Sequence, residues 1–152
     1  MARRHKYINR TAGDYSVTST TWTNLDTSLD LQMECQVGDI IRVHINAMWG
    51  SQVNTGYLNV CTVVSNNPVN FVGPTEQSGN TGIPAWIGQS SMAGPIGAAK
   101  RYMVAAGDLT SGQVTFRLRT MVNAATPPKI LAANSTSPLE FAIENIGPQD
   151  PT

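Results

Sequence analysis

An all-β, antiparallel sandwich in a single domain is the fold class that this sequence predicts, and three observations carry it. First, apolar and polar residues alternate with period two in several short runs. In Ile41-Arg42-Val43-His44-Ile45-Asn46-Ala47 the residues Ile41, Val43, Ile45 and Ala47 share one face, while Arg42, His44 and Asn46 share the other, the signature of a half-buried antiparallel strand. Second, turn-forming residues punctuate these runs, with almost nothing of helical period between them. Third, only 13% of the 152 residues are charged, against roughly 25% in an average domain. Gly, Ser, Thr and Asn stand where charges usually would, which suits a loop-rich β-protein and a surface packed against other protein.

The elements follow in order. Residues 1–10 carry Arg3, Arg4, Lys6 and Arg10, four of the ten lysines and arginines in the chain, and read as a basic N-terminal arm outside the domain. Arg10 to Asp14 turns into a Ser/Thr/Val-rich strand region, Tyr15 to Leu25, anchored by Trp22. Asn24 to Ser28 is a polar turn and Leu29 to Glu34 a strand. Val37-Gly38-Asp39 is a tight turn into the strongest strand, Ile40 to Met48, with a bend expected at Gly50.

Asn54-Thr55-Gly56 is a hairpin-type turn, and Tyr57 to Val64 is apolar enough for a central strand. Ser65 to Pro68 closes it, and Val69 to Val72 is a short strand. Gly73 to Gly82 and Gly88 to Gly97 read as loops, with a Pro-broken edge element at Ile83 to Ile87 that holds Trp86. Lys100 to Ala105 is a strand, Ala106 to Leu109 a turn, and Val114 to Arg119 a strand. Pro127-Pro128 interrupts the chain, Ile130 to Ala133 is brief, and Leu139 to Ile146 is the last strand. That is about eight to ten strands, the spacing of a sandwich or barrel. A jelly roll is the first choice and an immunoglobulin-type sandwich the second, weakened because Trp49 does not lie between paired cysteines. The domain is expected over residues 11–148, with 149–152 a tail.

Chemistry is sparse. His5 sits in the arm, and His44 has no carboxylate or cysteine at ligand spacing, so neither metal nor cofactor is expected. Glu140 and Glu144 share the solvent face of one strand and read as solubilising charges rather than a catalytic pair. No nucleophile elbow, phosphate loop or dinucleotide fingerprint occurs, and the expectation is a non-enzyme. Cys61 shares a face with Tyr57 and Val63 and reads as core. A Cys35–Cys61 disulfide is compatible with the sequence but not required by it. Trp22, Trp49, Trp86 and Tyr57 read as core and interface anchors, with Trp86 also a candidate ligand-facing residue. Net charge is zero, so neither nucleic acid nor membrane is favoured as a partner. No apolar run reaches the ~18 residues of a membrane span, and the start lacks the apolar stretch of a secretory signal, which points to synthesis in the cytoplasm.

Several stretches together resemble a known module. They are Thr11-Ala12-Gly13-Asp14, Ser19 to Leu31, Val37-Gly38-Asp39-Ile40, Met48-Trp49-Gly50, Tyr57 to Val60, Gly107-Asp108-Leu109, Val114 to Arg119 and Asn145-Ile146-Gly147-Pro148. Across residues 10–148 the chain is similar to a small jelly-roll module of structural proteins in tailed bacteriophages, notably those of actinobacterial hosts. The resemblance implies a virion component assembled in the bacterial cytoplasm and brings no catalytic residues with it. A free-standing module without a fibre shaft fits a capsid decoration protein, a homotrimer on the outer face of the major capsid protein lattice. The alternative is a tail or fibre module that binds a receptor or carbohydrate, for which Trp86 is the candidate residue. The basic arm lies outside the resemblance. On its own charge it is expected to order only in the assembled particle, with Arg3, Arg4, Lys6 and Arg10 meeting capsid carboxylates and Tyr7 and Ile8 as a small apolar anchor.

Overall fold

The computed structural model describes residues 4–21, 23–51, 58–64, 71–72, 93–122 and 129–148. They form an all-β sandwich of two antiparallel sheets. Eleven strands are present among the described residues: β1 (Arg4–Arg10), β2 (Tyr15–Val17), β3 (Thr23–Asn24), β4 (Leu31–Glu34), β5 (Asp39–Ser51), β6 (Leu58–Val64), β7 (Phe71–Val72), β8 (Ala93–Met103), β9 (Gln113–Val122), β10 (Lys129–Leu131) and β11 (Leu139–Pro148). Single 3₁₀ turns stand at Thr27–Leu29 and Ala106–Asp108.

Six of the strands form three end-to-end pairs, each lying along one side of a longer line of pairing. β10 and β11 lie end to end along one side of β5, whose other side pairs with β8. β2 and β1 continue the first sheet outward from β10 and β11. In the second sheet β3 and β4 lie end to end along β9, followed by β6 and β7. Among the described residues each sheet is therefore four strands wide. The first runs β8, β5, β10/β11, β2/β1, and the second runs β3/β4, β9, β6, β7.

The alternation read on β5 holds. Ile41, Val43, Ile45, Ala47 and Trp49 are buried, and Arg42, His44, Asn46 and Met48 are exposed. They pack with Val114, Phe116, Leu118 and Val122 of β9 and Leu58 and Val60 of β6 in one core. Tyr102 of β8 meets the Phe116 ring edge-on across the sheets at 6.3 Å, a favoured aromatic geometry. Gly38, with φ at +91°, makes the turn between β4 and β5, where a side chain would be strained.

Several expectations need correction. The largest concerns the arm, because Arg4–Arg10 is not outside the domain. It is an edge strand in unbroken register with β11, from Arg4 opposite Asn145 to Arg10 opposite Leu139. Backbone pairing along seven residues outweighs the mutual repulsion of the cations, of which Arg4 faces Glu34 and Arg10 faces Asp26. The Gly88–Gly97 loop is likewise shorter than expected, since Ala93 to Gly97 belong to β8 and pair with β5 despite Pro95; β8 pairs with β5 alone among the described strands, and an edge position tolerates proline.

The Tyr15–Leu25 region divides between the sheets, β2 in the first and β3 in the second. Leu29 closes a 3₁₀ turn instead of opening β4. β5 runs through Gly50 without ending, and β11 continues to Pro148. On β6 Leu58 and Val60 are buried; Cys61 stands in register with Arg119, and its side chain, read from the sequence as core, lies outside the described residues. Cys35 carries a free thiol, so it forms no disulfide with Cys61. Trp49 is fully buried and is a core residue. The turns at Asn54–Gly56 and Ser65–Pro68, the loop Gly73–Gly82, the Ile83–Ile87 element, Pro127-Pro128 and the tail 149–152 lie outside the described residues, as do Arg3, Trp22, Tyr57 and Trp86.

Candidate functional site

Strand β1 contributes to two surfaces because its residues alternate. Arg4, Lys6, Ile8 and Arg10 share the parity of the buried β11 residues Phe141 and Ile143, while His5, Tyr7 and Asn9 share that of Glu144, Ala142 and Glu140. At a sheet edge the first set overhangs toward the opposite sheet. Arg4 donates from Nη1 to the Glu34 carboxylate at 3.0 Å and to its carbonyl at 3.1 Å. Arg10 pairs with Asp26 at 3.4 Å and lies over the Tyr15 ring, 4.9 Å from its centroid. Ile8 packs against the core. Lys6 is exposed and lines a groove with Gln32 and Glu34. Two of the cations expected to meet a neighbouring subunit thus find carboxylates within the chain. Charged residues on an edge strand also discourage unplanned edge-to-edge pairing.

The second set belongs to the outer face of the first sheet. There Tyr7 is half exposed, lies parallel to the His5 ring at a centroid distance of 6.2 Å, and donates its hydroxyl to Glu140 at 3.5 Å. One row across the four strands reads His5, Glu144, Arg42, Arg101; the next reads Tyr7, Ala142, His44, Ala99. Arg42 donates to Glu144 at 3.2 Å. Arg101 is exposed and stands directly opposite Arg42. The small Ala142 floors a groove of about 170 Å³ lined also by His5, Arg42, His44 and Glu144, so the chain's two histidines flank one depression. Met48, Met103 and Ile130 leave exposed apolar surface on the same side.

The end of the sandwich near the β4–β5 turn holds a larger cavity, about 560 Å³, lined by Arg4, Cys35, Asp39, Gly112, Asn145 and their neighbours. The Asn145 amide donates to Asp39 at 2.8 Å and lies 3.9 Å from the Cys35 sulfur. Burial, and then the Asp39 charge, push the Cys35 thiol up to about 11. A thiol held protonated is a poor nucleophile, and the cavity is framed by structural contacts. Among the described residues no group of three or more His, Cys, Asp or Glu side chains is placed to hold a metal ion, and no helix is long and apolar enough to cross a membrane.

Sequence reasoning found the outer faces of β5 and β11 but missed Arg101. The signal for it is a pairing register, which brings residues 42 and 101 side by side; periodicity within either strand carries no trace of it. Comparison with protein-family models finds no match, and a search of curated proteins finds none.

Proposed function

We propose that the chain is a jelly-roll structural protein of a tailed-phage virion, a decoration protein that binds the outer surface of the assembled capsid as a homotrimer. The observation that carries the fold part is the nesting of the strands. In chain order the eight composite strands stand first, eighth, third, sixth in one sheet and second, seventh, fourth, fifth in the other. That order is the one expected when a long antiparallel hairpin is rolled into two sheets, and it supports the jelly-roll reading. The stretches that resemble the phage module span the same region.

A fold does not dictate a function, so the placement on a capsid rests on the surface as well. The outer face of the first sheet is broad and offers Arg, Tyr and Met side chains with small residues between them, a composition enriched where proteins meet proteins. Attachment is assigned to a face of the sandwich, to which β1 contributes as one strand, rather than to a free N-terminal arm. Arg4 and Arg10 are already engaged with Glu34 and Asp26, so β1 has no ordering step left to be driven by assembly.

The test is co-sedimentation of purified protein with expanded capsids that lack it, together with the solution mass. Saturable binding by a species of three subunits is the expected result. Binding to isolated tails instead would transfer the protein to the tail and favour the receptor-binding alternative. A monomer in solution would remove the trimer.

A further inference from the structure

We infer that the outer face of the first sheet docks on an acidic protein surface, with Arg101 as its principal contact; the identity of that surface as the capsid rests on the function proposed above. This face carries a pairing that folding alone does not favour. Arg42 and Arg101 are register partners on β5 and β8, and like charges directly opposite each other in an antiparallel pair are destabilising. Glu144 answers Arg42 at 3.2 Å, while Arg101 makes no ion pair or side-chain hydrogen bond among the described residues. Arg101 is exposed, as is Ala99 two residues before it on the same face. A planar guanidinium is suited to a two-point contact with a carboxylate.

The chemistry of the occupant follows from the row. A second copy is disfavoured because the face's own carboxylates are already engaged, Glu144 with Arg42 at 3.2 Å and Glu140 with the Tyr7 hydroxyl at 3.5 Å, which leaves neither to answer a copy's Arg101. A nucleic acid is disfavoured because Glu140 and Glu144 stand among the cations and because Tyr7, Met48, Met103 and Ile130 are apolar contacts that a phosphate backbone does not use. A protein surface bearing carboxylates and some apolar area satisfies both halves of the face.

Two variants test this with matched charge. Arg101→Glu and Lys6→Glu alter net charge equally, but Lys6 lines the groove beside Gln32 and Glu34, off this face. In Arg101→Glu a carboxylate replaces the cation opposite Arg42, so its unfolding midpoint is expected to match or exceed that of the parent. Capsid affinity is expected to fall about tenfold or more in Arg101→Glu and to change by less than about twofold in Lys6→Glu. Equal losses in the two variants, or wild-type binding by Arg101→Glu, would overturn the inference.

A column of immobilised poly-L-glutamate separates this inference from the capsid assignment. If the parent ignores capsids yet is retained on poly-L-glutamate, with earlier salt elution of Arg101→Glu alone, the acidic-partner face stands and the capsid assignment falls. No binding to either material refutes both. Stronger retention on duplex DNA than on poly-L-glutamate, lost in Arg101→Glu, would replace the protein partner with a nucleic acid.

Discussion

Asp26 is the point at which loss of a single side chain should loosen both sheets. It stands in the turn before β4, and its carboxylate accepts from the Tyr15 hydroxyl at 2.7 Å, from the Ser28 backbone N–H at 2.8 Å and from Arg10 at 3.4 Å. Those three donors belong to β2, the 3₁₀ turn and the end of β1. Asp26→Ala removes two short charge-assisted bonds and one longer ion pair. A hydrogen bond to a charged group contributes ~1.5–3 kcal/mol when buried, but the Asp26 side chain is 25% exposed. Solvent screening lowers each short bond to about 1 kcal/mol, and the Arg10 pair to a fraction of that. The sum is ~2–3 kcal/mol, which corresponds to a Tm lower by roughly 5–10 °C for a domain of this size.

Urea unfolding followed by tryptophan fluorescence measures the difference, and pH supplies a second readout. The Tyr15 hydroxyl, followed by the Ser28 contacts, holds the Asp26 carboxyl below its ordinary value, against the opposing effect of desolvation. A carboxyl depressed in the folded state adds stability above its unfolded pKa of ~3.9 and loses it as pH falls through the lower folded value. The gap between parent and Asp26→Ala should therefore be constant from about pH 8 to 5 and close progressively below about pH 4. A gap under about 0.5 kcal/mol at neutral pH, the ordinary range for an inconsequential surface change, would refute the reasoning. So would a gap that persists unchanged in acid.

Three further outcomes are expected. Phe116→Ala empties a fully buried site against Tyr102 and should cost ~3–5 kcal/mol by denaturant unfolding; a loss under about 1 kcal/mol would mean that the two sheets do not pack through it. Tyr102→Phe removes the hydroxyl that donates to the buried Asp108 carboxylate at 2.6 Å, leaving the Ala105 N–H at 2.8 Å as a remaining donor. Its cost should be ~1–2 kcal/mol, and a variant as stable as the parent would show that bond to be without net value. In a Cys61→Ser background, Cys35 should resist an aromatic disulfide reagent at pH 8 until the protein is unfolded, because the thiol is buried and its pKa is about 11; labelling of the native protein at the rate of a free thiol would contradict its placement.

The sequence by itself determined the fold class and much of the core. Alternation on β5 identifies Ile41, Val43, Ile45 and Ala47 as buried and Arg42, His44 and Asn46 as exposed, because the pleat turns every second side chain to the same face. Turn chemistry located the corner at Gly38, whose left-handed backbone a side chain would oppose. Tertiary structure decided what depends on partners distant in the chain. The charge of residues 3–10 predicts a free arm when taken alone; β11, some 130 residues later in the chain, supplies the ladder that makes it a strand, and Glu34 and Asp26 supply the countercharges. The strand at Ala93–Gly97 was hidden for the same reason: Gly and Pro lower its local propensity, and its pairing with β5 overrides that preference. The juxtaposition of Arg42 and Arg101 was the least legible feature, since an antiparallel register is a relation between two strands and neither strand's own sequence encodes it.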